Sequence, residues 1–283
     1  MKSFIKISIL AIILGYCSIS DAQNSLSFDG TNDRVDCGND PSIQITGSNI
    51  TLEAWIYPTS WKDLIFQGNI INKENNAPDN GYMLRCGDGG NLNFNLGSGT
   101  WHELTTASPV LVLNEWQHVA ATYDGITMRM YVDGVEVASL ATSLSITNSA
   151  QPLVIGDYTG TNRNFPGSID EVKIWNITRS SVEIIDDMNS TYCESELPIG
   201  GLSAYYNFNQ GIANGINFTE TTLFDNSGNG NDGELTDFTL TGFTSNWVDG
   251  VEDLTHIGYE SVSMTVSACE SYTVPSGDET YTL

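Results

Sequence analysis

The chain alternates between short apolar runs and clusters of turn residues along most of its length. The runs are rich in Val, Ile, Tyr, Thr and Trp, and Gly, Asn and Asp separate them, which is typical of β-strands joined by tight turns. Asp133-Gly134 lies between two alternating runs and predicts a two-residue hairpin, because both residues tolerate a positive φ. The predicted strands are Ser25–Phe28, Arg34–Cys37, Ile50–Tyr57, Ile65–Lys73, Tyr82–Cys86, Leu92–Leu96, Glu103–Thr105, Trp116–Tyr123, Thr127–Val132, Val135–Leu140, Leu153–Ile155, Gly167–Trp175 and Ser203–Asn207.

Many strands at regular spacing predict an all-β sandwich or barrel with few helices. One helix is predicted after Ser180, because Ser180 and Glu183 form a capping box ahead of an apolar pattern of roughly helical spacing. We expect this helix to lie on the sandwich as a short connection between strands.

Residues 1–22 have the pattern of a secretory signal peptide. Lys2 and Lys6 give a basic start, and the apolar run Ile7–Leu14 is too short to span a bilayer as a mature helix. Small residues precede Gln23, which would become the first mature residue after cleavage. No later stretch is apolar enough to cross a membrane, so we expect a protein that is secreted or held at the cell surface.

The chain is strongly acidic. Its 283 residues include 10 Lys and Arg against 35 Asp and Glu, which gives a formal net charge of -25 at pH 7. This charge argues against a nucleic-acid partner, because almost nothing could neutralise the phosphates. An anionic membrane surface is disfavoured for the same reason. The hydrophobic content of 40% indicates a folded protein rather than a disordered one.

Cysteine usage fits export to an oxidising compartment. Removal of the signal peptide leaves an even number of cysteines: Cys37, Cys86, Cys193 and Cys269. Three pairings are open, and we favour a disulfide between Cys37 and Cys86, because each lies in a strand-like segment just before a glycine. Cys193 and Cys269 either pair with each other, or Cys269 belongs to a following module.

Four segments together resemble one protein family. They are LSFDGTNDRV (26–35, the opening strand of the family), TLEAWI (51–56, the next core strand), WQHVAATYDG (116–125) with YVDG (131–134) (the central hairpin) and GSIDEVKIWN (167–176, a late strand). Because they occur in the family's order over residues 23–195, the chain is identified as a member of the laminin-G-like jellyroll domains. The resemblance implies the concanavalin A-like fold, with two antiparallel sheets and one concave face.

The resemblance also implies a domain organisation. Residues 202–209 and 225–230 are similar to the closing segment of multidomain surface proteins of the Bacteroidetes type. We therefore expect one jellyroll domain over residues 23–250, with 196–250 as its closing segment. Residues 251–283 are rich in Ser and Thr and predict a linker and the start of a further β module, so the chain is interpreted as a fragment of a longer protein.

A structural calcium ion is implied by the same resemblance. The family places its late strand beside the opening strand, so Asp170 and Asp29, helped by backbone carbonyls, are expected to hold one ion. Carboxylate and carbonyl oxygens are the ligands that Ca²⁺ prefers. The alternative is that Asp29 only caps its Asp-Gly turn, while Asp170 faces water.

Four residues are the candidate ligand-binding residues: Trp101, His102, Trp61 and Tyr82. They lie in or beside Gly-, Asn- and Ser-rich segments, where a large ring has less obvious core to fill. Sugars stack on exposed aromatic faces, while Asn and Asp bind hydroxyls. We expect Trp101 to anchor a glycan from a loop. The alternative is that these aromatic rings fold back over the core.

No pattern of catalytic residues is present in the sequence. Glucan-cleaving relatives of this fold carry paired carboxylates as Glu-x-Asp-x-x-Glu or Glu-x-Asp-x-Glu on one strand, and the chain has neither. It also has no Gly-x-Ser-x-Gly and no His-Glu-x-x-His motif. We predict a non-catalytic recognition or adhesion module that binds a glycan or an extracellular matrix ligand weakly and multivalently. The alternatives are a structural spacer, or an accessory domain of a glycan-degrading enzyme.

Overall fold

The computed structural model describes residues 23–158, 162–192 and 197–251, together with the backbone of three short strands after residue 254. The predicted signal peptide, Cys193 and Cys269 lie outside these residues.

Short strands form most of the described chain. In chain order they are β1 (Asn24–Asp29), β2 (Arg34–Asp36), β3 (Ile50–Pro58), β4 (Gly68–Asn72), β5 (Asn75–Asn76), β6 (Asp79–Gly87), β7 (Asn91–Gly99), β8 (Trp101–Thr105), β9 (Gln117–Tyr123), β10 (Thr127–Val132), β11 (Val135–Ala141), β12 (Val154–Ile155), β13 (Pro166–Trp175), β14 (Ser190–Tyr192), β15 (Leu202–Tyr206), β16 (Thr222–Leu223), β17 (Gly233–Thr236), β18 (Asn246–Asp249), β19 (Thr255–Ile257), β20 (Ser271–Thr273) and β21 (Thr280–Thr282). The helix α1 spans Ser181–Met188, and a 3-10 turn spans Pro41–Ile43.

Two antiparallel sheets make the sandwich that the sequence predicts. The eight-stranded sheet has the order β11-β10-β9-β3-β13-β1-β18, with β15 also paired to β13. The nine-stranded sheet has the order β16-β17-β2-β12-β4-β6-β7-β8, with β5 also paired to β6. Strands that are distant in sequence are neighbours in both sheets, as in a jellyroll. The predicted fold class, an all-β two-sheet sandwich, is confirmed.

The core lies between the two sheets. Leu52, Ala54 and Ile56 point inward from β3, and Leu84 and Phe94 point inward from the nine-stranded sheet; all five are fully buried in one cluster. Because side chains alternate along a strand, the residues between them point to the outer faces of the sandwich. Those outer faces carry the polar chemistry.

The predicted hairpin turn and helix are both present. Asp133 and Gly134 have φ values of 49° and 74° between β10 and β11, as a two-residue hairpin requires. Ser180 caps α1, and Glu183 completes the capping box from the third helical position. In the described part of the chain, no helix is both long and apolar enough to cross a membrane.

Helix α1 covers the outer face of the eight-stranded sheet. Trp55 on β3 donates its indole N–H to the carbonyl oxygen of Met188 at 3.0 Å. Lys173 on β13 donates its Nζ to the carbonyl oxygens of Asp187 and Ser190 at 2.7 and 2.9 Å. These polar contacts fix the end of the helix to the sheet, and Ile184 of α1 packs in a small apolar cluster with Ala120 and Tyr131.

Charged groups are buried beneath this helix. Glu171 lies 3.3 Å from Lys173 in an ion pair, and both side chains are almost inaccessible to water. Arg179 donates from Nε and Nη2 to the two oxygens of Asp187 at 2.8 and 2.9 Å. Glu53 accepts from the Trp175 indole at 2.9 Å. Glu171 and Asp187 are therefore each paired with a cation, whereas Glu53 has the indole as its hydrogen-bond donor.

The expected disulfide between Cys37 and Cys86 is wrong. Both cysteines are free and buried. Cys37 follows β2, and strands β12 and β4 lie between β2 and β6, so the separation across the sheet is about 14 Å. A disulfide needs Cα atoms within about 7 Å. The flanking glycines that suggested the pair do not encode distance across a sheet.

Candidate functional site

Polar side chains cover the outer face of the nine-stranded sheet at its centre. Five of them, which we call the polar face, are Asn69 on β4, Arg85 on β6, Asn93 and Asn95 on β7, and Asn72 on β4. The strand register puts Asn69, Arg85 and Asn93 in one row, and the next row contains Asn72 and Asn95. All five are buried although they point away from the apolar core. Because buried polar groups need partners, this face is a hydrogen-bonded surface.

Arg85 organises one half of the polar face. Its Nε donates to Asn93 Oδ1 at 2.7 Å. With the Asn95 amide turned so that its oxygen and nitrogen both find partners, Arg85 Nη2 donates to the Asn95 oxygen at 2.6 Å. Asn93 donates in turn to Thr105 Oγ1 on β8 at 2.6 Å. Burial lowers the pKa of Arg85 to about 10, so its guanidinium remains charged at neutral pH. One cation thus orders three neighbouring strands.

Glu74 organises the other half. It accepts from Asn72 Nδ2 at 3.1 Å, and Asn72 also donates to Asn69 Oδ1 at 3.0 Å. Arg163, from the segment before β13, donates Nη1 to both carboxylate oxygens of Glu74 at 3.0 Å. Asn69 Nδ2 donates to the carbonyl oxygen of Arg163 at 2.9 Å. The Arg163 segment is therefore fixed against the sheet.

A set of rings borders the polar face, and we call it the aromatic arc: Phe66, Tyr158 and Trp101. The guanidinium of Arg163 lies 5.1 Å from the centre of the Phe66 ring and 4.9 Å from that of Tyr158. Asn76 connects Tyr158 to Trp101, because its Nδ2 donates to the tyrosine hydroxyl at 3.4 Å and its Oδ1 accepts from the indole at 3.3 Å. Flat rings thus stand beside a floor of amides.

Trp101 therefore lies at a polar surface, but it lies in a strand and not in the predicted loop. It is the first residue of β8, the edge strand of the sheet, and is half-buried. His102 follows on the opposite face of the same strand. Its Nε2 lies 3.0 Å from Ser98 Oγ and its Nδ1 lies 3.4 Å from Thr142 Oγ1. His102 does not reach the polar face with Trp101.

Two further candidates for ligand binding, Tyr82 and Trp61, pack in or against the core. Tyr82 is 1% exposed, and its hydroxyl donates to the carbonyl oxygen of Ile43 at 2.9 Å. Its assignment to ligand binding is wrong, because no face of the ring is open. Trp61 is partly buried and packs against the main core, so it folds back as the alternative interpretation expected.

Asp29 and Asp170 do not meet. Asp29 is opposite Pro166 on the β1–β13 ladder, and Asp170 is four residues further along β13, about 13 Å away. Asp29 accepts from the backbone N–H groups of Thr31 and Asn32, as a turn cap does. The expected shared ion between these two residues is wrong.

The carboxylate of Asp170 is already occupied by backbone donors. It is 2% exposed and accepts from the N–H groups of Glu171 and Val251 at 2.8 and 3.0 Å. Within the described ranges, no group of three or more His, Cys, Asp or Glu side chains is placed to hold a metal ion. Calcium binding stays a prediction without an assigned pair of ligands.

The sequence interpretation missed most of the polar face. Its signal is the alternation Asn91-Leu92-Asn93-Phe94-Asn95-Leu96, in which the leucines and phenylalanine face the core and the asparagines face outward. Such a row of amides on one strand is unusual for a solvent-facing surface, where charged side chains are common. Arg163 could not be found in this way, because it joins the site from a distant segment.

The laminin-G-type family model, described as the concanavalin A-like lectin/glucanases superfamily, matches residues 29–185. This match covers more than half of the chain, and the chain belongs to that family. The matched residues include both halves of the polar face and the aromatic arc.

The individual relatives match only part of this chain or have low sequence identity to it. Pappalysin-1 of Mus musculus is 34% identical over 89 residues, and that of Homo sapiens is 32% identical over 89 residues. Each match covers 30% of this chain and 5% of the relative, so the chain spans only a small part of those proteins. A putative carbohydrate binding protein from Bacteroides ovatus ATCC 8483 has the same fold, with a TM-score of 0.58 and 20% identity over 76% of this chain and 58% of that chain.

Proposed function

We propose that the chain is a non-catalytic carbohydrate-binding module that holds a glycan against the polar face. The observation that carries this proposal is the aromatic arc beside a floor of buried amides. A sugar ring offers an apolar face and a belt of hydroxyls, so it needs one flat apolar surface and several fixed donors and acceptors. Trp101 supplies the first, and Asn76 and Glu103, which are exposed at the border of the buried amides, supply the second.

The site favours a neutral glycan over a charged one. Arg163 is neutralised by Glu74, which accepts from it with both oxygens. Arg85 is engaged by two asparagine oxygens, and Glu103 is exposed beside Asn95 on the neighbouring strand. The charges therefore balance within the site. Buried amides that are already oriented cost little further ordering when a ligand binds.

A non-catalytic role agrees with the pairing of the Glu74 carboxylate. Glycoside hydrolysis needs two carboxyl groups that flank one bond, one of them free to give a proton. Glu74 is paired with Arg163 on both oxygens, so it is held as a charge partner. The family, and the fold shared with a putative carbohydrate binding protein from Bacteroides ovatus, support the same class of function.

Three finer features belong to the proposal as well. We propose that the chain acts outside the cell, on the basis of the signal-like residues 1–22, and that calcium stabilises it at a site still to be located. One stacked ring gives weak binding, so useful adhesion to a glycan or matrix requires several copies. Calcium binding is tested by comparing the melting temperature of the protein in calcium with its melting temperature in a chelator. We expect the higher melting temperature in calcium.

Substitution of Trp101 by alanine tests the glycan site. We expect this change to weaken binding of the best-retained polysaccharide by about 10- to 100-fold, because a stacked indole contributes about 1–3 kcal/mol. Affinity electrophoresis after a glycan-array screen of the purified protein measures the effect. Trp116→Ala is the matched control, since Trp116 is also half-buried but lies just before β9, a strand of the other sheet.

The two variants separate the glycan site from a spacer role. If the domain is only a spacer, none of the glycans in the array will bind the protein. Equal retention of wild type and Trp101→Ala, with unchanged melting temperatures, would remove the aromatic arc from the site.

A further inference from the structure

A cavity lies on the opposite side of the molecule from the polar face, on the outer face of the eight-stranded sheet. Its volume is about 610 Å³. Trp116 just before β9, Tyr57 on β3 and Ser168 on β13 form one row across three neighbouring strands in the register of the sheet. The small Ser168 side chain leaves room beside the two rings. The cavity is therefore built by the sheet itself and is separate from the polar face.

The closing segment of the domain supplies the other wall. Phe243, Asn214 and Asp249, the last residue of β18, line the same cavity. Asn214 Nδ2 donates to Asp249 Oδ2 at 3.0 Å, which fixes the carboxylate in place. Phe243 is 80% exposed, an unusual state for a phenylalanine at the rim of a cavity. Its ring gains burial only when something occupies the space beside it.

Three aromatic rings and one carboxylate thus surround the same space. Tyr57 and Trp116 have their ring centres 5.6 Å apart and tilted by 58°, so they form two sides of a corner. No lysine or arginine is among the described residues that line the cavity. Aromatic faces and a carboxylate all attract positive charge, and a cation with methyl groups fills such a corner better than a hydrated metal ion does.

We infer that this cavity binds an organic cation of the quaternary or methylated ammonium class. The rings of Tyr57, Trp116 and Phe243 contact its methyl groups, and Asp249 balances its charge. The site is independent of the glycan-binding function proposed for the opposite face. A chain with a net charge of -25 also draws cations toward its surface over a longer range.

A choline titration tests the inference. The purified protein is titrated with choline and, separately, with 3,3-dimethylbutan-1-ol, which has the same shape without the charge. The indole N–H resonance of Trp116 reports binding in both cases. We expect a saturable shift with choline and an affinity for the neutral alcohol that is lower by about tenfold or more.

Matched variants assign the effect to the cavity. Phe243→Ala is expected to weaken choline binding about two- to fivefold, and Asp249→Asn about tenfold. Phe218→Ala and Asp63→Asn are the controls, because both residues are exposed and neither lines the cavity. We expect both controls to bind choline as wild type does. Melting temperatures confirm that all four variants are folded.

Three different results would overturn the inference, and each can be told apart from the others. Equal affinity for choline and for the neutral alcohol would show an apolar slot and overturn the inference. A shift of the Trp116 resonance with glucose or arabinose but not with choline would show a second sugar site and overturn it as well. No saturable shift with choline overturns it outright. The Trp101→Ala variant should bind choline normally, so failure of the glycan site leaves this result unaffected.

Discussion

Replacing Lys173 by methionine is expected to lower the free energy of unfolding by about 3–5 kcal/mol. Lys173 is 1% exposed, and its Nζ contacts Glu171 and two backbone carbonyl oxygens beneath α1. Methionine fills a similar volume, so the main loss is the charge. Glu171 would then be a buried carboxylate without its cation. Removing one partner of a buried ion pair is among the most destabilising changes in proteins.

Urea denaturation measures this effect, and two further variants interpret it. Lys62→Met is the matched control, because Lys62 is only half-buried and donates to the Gly30 carbonyl oxygen and to Asn162 at the surface; we expect it to cost less than about 1 kcal/mol. Adding Glu171→Gln to Lys173→Met should recover part of the loss. A Lys173→Met protein as stable as wild type would contradict the view that charge fixes α1 to the sheet.

The free energy of unfolding is expected to fall as the pH rises from about 5 to 8. Burial raises the pKa of Glu53 to about 8, from an ordinary value near 4.5. Between these values the folded protein keeps a proton that the unfolded chain has lost, so the contribution of Glu53 is present below pH 4.5 and disappears through pH 8. Asp33, whose pKa burial raises to about 7, acts in the same direction.

His118 acts in the opposite direction at lower pH. Burial lowers its pKa to about 3, so the unfolded chain gains a proton below pH 6.5 that the folded protein does not bind. Below pH 6.5 His118 offsets only one of the two protons that Glu53 and Asp33 retain in the folded protein. These three groups together therefore predict maximum stability at about pH 4 and a decrease that steepens above about pH 6.5. At that pH Glu53 and His118, whose Oε2 and Nε2 are 3.5 Å apart, are a protonated carboxyl and a neutral imidazole.

Chemical denaturation between pH 5 and 8.5 measures this profile. We expect a decrease of about 2 kcal/mol or more across that range in wild type. Glu53→Gln should flatten it, whereas Glu234→Gln, at an exposed position, should leave it unchanged. Stability that increases from pH 6 to 8.5 would contradict the buried, neutral state of Glu53.

The sheet architecture was predictable because it depends on local signals. The period-two alternation, the Asp133-Gly134 turn and the Ser180–Glu183 capping box each act within a few residues, and the structure contains all of them. The helix and the turn were placed correctly for the same reason. Strand boundaries were predicted less accurately, since β4 begins at Gly68 rather than at Ile65.

The candidate site was only partly predictable, because it depends on which strands become neighbours. Trp101 was selected from the composition of the segment around it, and the sheet does place it beside polar groups. Tyr82 was selected in the same way and is buried, because the face to which a strand residue points depends on register and not on the nearby glycines. The Cys37–Cys86 pair failed for a related reason: two strands separate residues that look equivalent in sequence.

The indole N–H resonance of Trp101 provides the most direct measurement of the central claim. The best-retained oligosaccharide is titrated into ¹⁵N-labelled protein, and Trp101→Phe and Trp116→Phe assign the two indole signals. The account predicts that the Trp101 signal shifts saturably, because its Nε1 donates to Asn76 at the rim of the polar face, while the Trp116 signal stays in place. A glycan that binds without moving the Trp101 signal, or that moves the Trp116 signal instead, would contradict it.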